Sequence, residues 1–338
     1  MTRSYRVAVL GATGAVGAEF LRLFDERKFP ISSLKLLASP RSAGKSLHFR
    51  GSELAVEAVS ASSFDDVDIA FFSAGATRSK EFAPMAADKG VWVIDNSSAF
   101  RMSEDVPLVV PEVNADAIQP HHNLIANPNC TAAILLMAVA PIRKLGKIER
   151  IIVSTYQSAS GAGAAAMEEL RNQTQTWLDG GNIEPQIMPH PYAFNLFSHN
   201  TPINEYGYND EEWKVMAECR KMLGEPNLRL NVTCIRVPVL RAHSESVTIE
   251  FESVAPTVYQ IRDTLSNSPG VKLVDDAVNN PFPMPNEVSG QDDVFVGRIR
   301  KDLSHPSAIS MFVVGDQLLK GAALNAVQIG EHLIRTRV

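Results

Sequence analysis

Val7-Ala8-Val9-Leu10-Gly11-Ala12-Thr13-Gly14-Ala15-Val16-Gly17 runs from a short β-branched stretch, through three spaced glycines, into a helical stretch. That strand–loop–helix setting suits a phosphate loop. Glycines permit the tight turn and let backbone approach a pyrophosphate at the positive end of a helix. The spacing is G-x-x-G-x-x-G, not the usual G-x-G-x-x-G, and an ordinary glycine-rich turn would read the same way in isolation. Working outward, strand-like runs at 34–38, 68–72 and 91–95 alternate with helical stretches at 15–27 and 77–88. The alternation predicts an α/β fold with a Rossmann-like parallel sheet.

At the end of the second strand, Ala38-Ser39-Pro40-Arg41-Ser42-Ala43-Gly44 lacks the acidic residue that would accept the ribose hydroxyls of NAD. It offers Arg41 with Ser39 and Ser42, which suits the 2′-phosphate of NADP; a solvated loop arginine is the alternative. Beyond residue 129 the pattern changes. Longer strands are expected at 151–157, 231–241, 246–252, 293–300 and 307–315, with helices at 164–178 and 210–223. The expectation is two domains: an NADP-binding domain over 1–129, completed by a terminal helix at 316–338, and an α+β catalytic and dimerisation domain over 130–315 with a mostly antiparallel or mixed sheet.

At 338 residues the chain exceeds what one core usually holds, which agrees with two domains. A net charge of −6 with no basic stripe argues against nucleic acid, and no apolar run is long enough to span a bilayer. The start enters a strand-like run without a signal-peptide core, so the cytoplasm is the expected location. Three scattered cysteines, Cys130, Cys219 and Cys234, make neither a disulfide framework nor a metal site.

Asn127-Pro128-Asn129-Cys130-Thr131 leads directly into an apolar helical run, which places a cysteine at a helix start. First-turn N–H groups favour the thiolate and hold a developing oxyanion. A small buried structural cysteine would occupy the same place, so the residues elsewhere decide. Tyr156-Gln157-Ser158-Ala159-Ser160-Gly161-Ala162-Gly163 leaves a strand for a helix, giving an amide and a small-residue loop. Arg236-Val237-Pro238-Val239-Leu240-Arg241-Ala242-His243-Ser244 sets Arg236 and His243 on one extended segment, on opposite faces unless Pro238 breaks the parity. A histidine there suits proton transfer near neutral pH.

Together these segments, with Ser97-Ser98-Ala99-Phe100-Arg101, Glu211-Glu212-Trp213-Lys214 and Gly315-Asp316-Gln317-Leu318-Leu319-Lys320-Gly321-Ala322, closely resemble the aspartate-semialdehyde dehydrogenase family, in the family's order and over the whole chain. The resemblance implies reduction of L-aspartyl 4-phosphate by NADPH to L-aspartate 4-semialdehyde and phosphate, on the route to lysine, methionine and threonine, by a homodimer without a metal. It implies Cys130 as nucleophile, His243 as acid/base, Gln157 as orienter of the acyl group and Asn129 as oxyanion support. Arg236 would hold the α-carboxylate, Glu211 the α-ammonium, and Arg101 with Lys214 the phosphate. Glu211 and Lys214, three apart on a helix, also suit a plain ion pair. Cofactor contacts would come from Gly11, Thr13, Gly14, Ala15, Val16, Gly17, Ser39, Arg41, Ser42, Ser160, Gly161 and Gln317. Three rivals remain: an N-acetylglutamyl-phosphate reductase, opposed by Arg236 with Glu211; a non-phosphorylating aldehyde dehydrogenase, which has no use for Arg101 and Lys214; and a catalytically silent dinucleotide-binding relative, opposed by Cys130 with His243.

Overall fold

The computed structural model describes residues 3–276 and 278–337, and these divide into two units. The first comprises Met1–Asn129 and Ala322–Val338. Its elements are β1 (Tyr5–Leu10), α1 (Ala15–Glu26), β2 (Ile31–Ala38), β3 (Ser46–Phe49), β4 (Ser52–Ala58), β5 (Ile69–Phe72), α2 (Ala76–Asp88), β6 (Trp92–Asp95), α3 (Pro111–Asn114) and β7 (Leu124–Ala126). They form one sheet in the order β3-β4-β2-β1-β5-β6-β7, parallel except for the β3–β4 hairpin. That hairpin was not foreseen, because Ser46–Ala58 is too polar to show a buried strand pattern.

β1 and β5 are buried on both faces, so they read as continuous apolar runs rather than alternating ones. Ala8, Leu10, Ala70 and Phe72 pack with Phe82, Ala83 and Ala86 of α2. On the other face Phe71 meets Phe20 and Phe24 of α1 at ring separations of 5.2 and 5.1 Å. The terminal helix, Leu324–Thr336, joins this second layer: Gly330 packs against Phe71 and Phe29, and Arg27 forks onto Glu331 with two 2.8 Å bonds. The result is a doubly wound sheet with its order reversing beside β1, where such sheets bind ligands.

The second unit, Cys130–Gly321, contains α4 (Cys130–Ile142), β8 (Ile148–Gln157), α5 (Ala164–Leu178), β9 (Phe197–Ser198), α6 (Asp210–Leu223), β10 (Arg229–Arg236), β11 (His243–Phe251), α7 (Val258–Ser266), β12 (Val271–Leu273), α8 (Pro285–Val288), β13 (Val294–Lys301) and β14 (Ala308–Gly315). The sheet order is β12-β13-β14-β11-β8-β10-β9, mixed and mostly antiparallel. Along β8 and β11 one face is buried, while Tyr156, Ser154, Ser246 and Thr248 on the other keep solvent contact. Residues 316–321 belong to this unit: Gln317 Oε1 accepts from the Ala242 N–H at 2.9 Å, and Asp316 Oδ2 takes the Arg241 guanidinium at 2.6 Å. The chain therefore returns to the first unit at Ala322, within the last helical stretch.

Candidate functional site

In the first unit, Gly11 follows β1 at φ 95°, and a Cβ there would lie 2.3 Å from the Ser73 carbonyl oxygen. Gly17 is equally constrained, with Ala12 O at 2.4 Å. Only glycine permits this folding of the loop onto the start of α1. Gly14 occupies the cap of α1 without a side-chain hydrogen bond, and Ala15-Val16-Gly17 supply no acid to the first turn. The first-turn N–H groups and helix dipole are thus left for an anion, which is what a pyrophosphate requires. Thr13 lies in this loop. Ala38 ends β2, and Ser39, Arg41 and Ser42 follow it with Arg41 exposed. These residues fit a dinucleotide, and a cation at this strand end fits one with a 2′-phosphate.

Also in this unit, Arg101 is buried. Its Nε donates to the Asn127 carbonyl at 2.9 Å and its Nη2 to the Asn96 carbonyl at 2.8 Å. Asn127 is braced in turn by Asn325 of the terminal helix, whose Nδ2 donates to Asn127 Oδ1 at 2.6 Å. The segment that ends in the buried Asn129 is therefore tied to the fold rather than loose.

The second unit collects its reactive groups in one row. Arg236 of β10 pairs in register with Gln157 of β8, and the Ser244–Tyr156 pair makes Gln157 and His243 of β11 the next opposed pair. Residues opposed in register share a face. Arg236, Gln157 and His243 accordingly point the same way. The single extended segment expected over 236–244 is instead two strand ends: β10 stops at Arg236, a bend containing Pro238 follows, and Ala242 at φ 72° turns the chain into β11. Proline removes a ladder donor, which is why the strand stops before it.

Loop Ser158–Gly163 crosses this row. A Cβ on Gly161 would lie 2.9 Å from Arg236 Nη1 and 3.0 Å from His243 Nε2, so both side chains converge there. His243 Nδ1 accepts from the Ser158 N–H at 3.1 Å and approaches Ser158 Oγ at 3.0 Å. A backbone N–H only donates, so the proton of the neutral ring sits on Nε2. Burial, with Arg236 and His199 nearby, holds the His243 pKa well below its ordinary value. Ser160 Oγ receives the Gln317 amide, which also braces Ala242.

Two helices complete the arrangement. Cys130 is half-buried at the first position of α4, and Gly321 packs against it closely enough that a Cβ there would stand 2.7 Å from the Cys130 Cβ. Thr131 behind it accepts from Gln157 Nε2 at 2.5 Å. Gln157 Nε2 also reaches Glu211 Oε1 of α6 at 3.2 Å. Helix α6 is fixed by a reciprocal cap: Asn209 Oδ1 accepts from the Glu212 N–H and Glu212 Oε2 from the Asn209 N–H, both at 3.0 Å. Glu212 Oε1 further accepts from the Cys234 N–H at 3.0 Å, which sets the first turn, with Glu211 in it and Lys214 just beyond, against β10. Cys219 and Cys234 are wholly buried, and burial raises both thiols, so neither shares the setting of Cys130.

Two family models match the chain: "Semialdehyde dehydrogenase, NAD binding domain" over residues 6–121 and "Semialdehyde dehydrogenase, dimerisation domain" over residues 139–320. The aspartate-semialdehyde dehydrogenase of Synechocystis sp. is 52% identical, with 99% of this chain and 98% of that protein covered. The chain belongs to the aspartate-semialdehyde dehydrogenase family. The crystal structure of aspartate semialdehyde dehydrogenase II from Vibrio cholerae superposes with a TM-score of 0.96 at 44% identity, covering 99% of this chain and all of that one. A crystal form of the same protein, complexed with ASA, gives 0.96 at 43%. The aspartate-semialdehyde dehydrogenase fold thus joins a dinucleotide-binding unit to a dimerisation unit here.

Sequence reasoning missed His199, Ser158 and Thr131. His199 stands among Arg236, Glu211 and Lys214, which act on its ring charge. Its only sequence signal was a histidine two positions after Phe197 in a polar stretch, too weak to separate from an ordinary loop. Among the described residues no cluster of His, Cys, Asp and Glu is arranged to hold a metal, and no helix is long and apolar enough to cross a membrane.

Proposed function

We infer that this chain reduces L-aspartyl 4-phosphate with NADPH to L-aspartate 4-semialdehyde and phosphate. The observation that carries the reading is the convergence of Gln157, Arg236, His243 and Glu211 beside a cysteine at the first position of a helix. Cys130 attacks the acyl carbon as the thiolate and phosphate leaves, giving a thioester. A bound NADPH supplies hydride. When the thioester carbon becomes tetrahedral, His243 Nε2–H donates to the new oxyanion and handles the proton there, assisted by the first-turn N–H of Cys130 and by Asn129. Collapse returns the Cys130 thiolate and releases the aldehyde.

Gln157, held by Thr131 and Glu211, orients the acyl group. Arg236 takes the α-carboxylate and Glu211 the α-ammonium, a pairing that favours the free amino acid over an N-acetylated one. Arg101 and Lys214 are assigned to the phosphate on charge. Gly11, Thr13, Gly14, Ala15, Val16 and Gly17 take the pyrophosphate; Ser39, Arg41 and Ser42 the 2′-phosphate; Ser160, Gly161 and Gln317 the nicotinamide side. The solvent-facing side of the second sheet, with Tyr156 41% exposed beside Phe312, is the surface we assign to a second copy.

The test is the initial rate of NADP reduction with L-aspartate 4-semialdehyde, with and without phosphate, against NAD and N-acetylglutamate semialdehyde in parallel. Phosphate-dependent turnover with NADP and the unacetylated substrate is expected. Cys130→Ala should lose turnover while binding NADPH normally, whereas variants at Cys219 or Cys234 keep most activity. Full turnover in Cys130→Ala would exclude the thioester route.

A further inference from the structure

Among the described residues, two histidines carry a buried Nε2 that lacks a hydrogen-bond partner: His243 and His199. The first is used by the chemistry above. The second is not. Strand β9 is only two residues long, yet its pairing with β10 sets Phe197 opposite Arg236 and Ser198 opposite Ile235. His199, two positions beyond Phe197, falls on the same sheet face as Arg236.

Both residues line one cavity of about 490 Å³, with Gln186, Met188 and Asn200 among its other walls. The charges that act on the His199 ring are Arg236, Glu211 and Lys214, and the ring acts in turn on His243. Burial, with the two cations outweighing Glu211, pushes its pKa down to about 4, so at neutral pH it offers a hydrogen bond without a second full charge. Arg236, for its part, already spends Nη1 on the Ser158 carbonyl at 3.0 Å. A carboxylate with four lone-pair sites is left wanting another donor on that side of the cavity.

We propose that His199 is a specificity-determining substrate ligand, its Nε2 holding the substrate's α-carboxylate jointly with the Arg236 guanidinium. This rests on the reading of Arg236 and Cys130 given under the proposed function. A neutral second donor reads a carboxylate without attracting phosphate as strongly as a second cation would, so it separates the two anionic ends of the substrate.

The experiment is steady-state kinetics of the intact enzyme with L-aspartate 4-semialdehyde, phosphate and NADP for the wild type, His199→Ala, His199→Gln and His199→Asn. His199→Ala should raise KM for the semialdehyde about tenfold or more, the loss expected for one hydrogen bond to a charged group. Its kcat should change far less, and KM for phosphate and NADP should hold. His199→Gln, which puts an amide N–H near the place of Nε2, should recover most of the affinity; His199→Asn, one bond shorter, should not. An unchanged semialdehyde KM in His199→Ala, or an effect on phosphate instead, overturns the proposal. Should the alanine variant fail to fold, equal KM values for the Gln and Asn variants overturn it equally. A wild type inactive on the semialdehyde would overturn the proposed function rather than the role of His199.

Discussion

Gly161 shows how a single missing side chain sets the chemistry. A Cβ there would press on Arg236 Nη1 and His243 Cε1, each at 2.9 Å. Arg236 ends a flexible stem and can yield, but His243 is pinned through Nδ1 by Ser158. Alanine is compatible with the Gly161 backbone, so Gly161→Ala should fold with its melting temperature little changed while kcat/KM falls about 10²-fold, the usual cost of misplacing a reacting group by an ångström. A wild-type kcat/KM in that variant would mean the loop moves aside and the convergence is not essential. At this scale the sequence was informative wherever chemistry is local. Cys130 at a helix start and the glycine loop are visible because their meaning lies in adjacent residues. His199 and Ser158 acquire theirs from strand register and a loop crossing, which no short window of sequence contains.

Among elements, α5 and α6 have the bounds expected from the sequence, since a 3.6-residue repeat and, for α6, the Asn209–Glu212 cap are written locally. β10 and β11 were misplaced because the break between them depends on Pro238 and on a non-glycine residue, Ala242, held at φ 72° by neighbours. Asn209→Ala removes the acceptor for the Glu212 N–H, which costs about 1 kcal/mol for a lost cap. That corresponds to a fall of about 2–4 °C in Tm for a unit of this size. Because Glu211 sits in that first turn and Lys214 just beyond it, KM for the semialdehyde should rise as well. A drop in Tm with unchanged KM would separate the cap from the substrate groups and remove α6 from the binding argument.

Buried titratable groups of opposite kind bound the pH range in which the whole molecule is stable. On the acid side stand His243 and His199, whose folded pKa values lie below the ordinary one, that of His199 at about 4. Their contribution is complete above about pH 6.5 and is lost as the pH falls toward the folded values. On the alkaline side stand Asp95, in the first unit, and Glu245, in the second, both raised by burial. Asp95 is compensated by bonds from Ser79 Oγ, Ser97 N and Ser97 Oγ at 2.8 to 2.9 Å. Glu245 is not: it is fully buried opposite Thr155, and neither carboxyl oxygen has a partner among the described residues. The folded protein therefore keeps the Glu245 proton, and its stability declines as pH rises above the ordinary carboxylate range, where the unfolded chain ionises freely. Glu245→Gln keeps the shape and cannot ionise. Its Tm should match the wild type near pH 4.5 and exceed it increasingly as the pH rises above the ordinary carboxylate range, the gap growing by at most about 1.4 kcal/mol per pH unit until the folded carboxyl ionises. Melting curves of the two proteins running parallel across that range would show that Glu245 is ionised in the fold and that its charge is met by something other than its own proton.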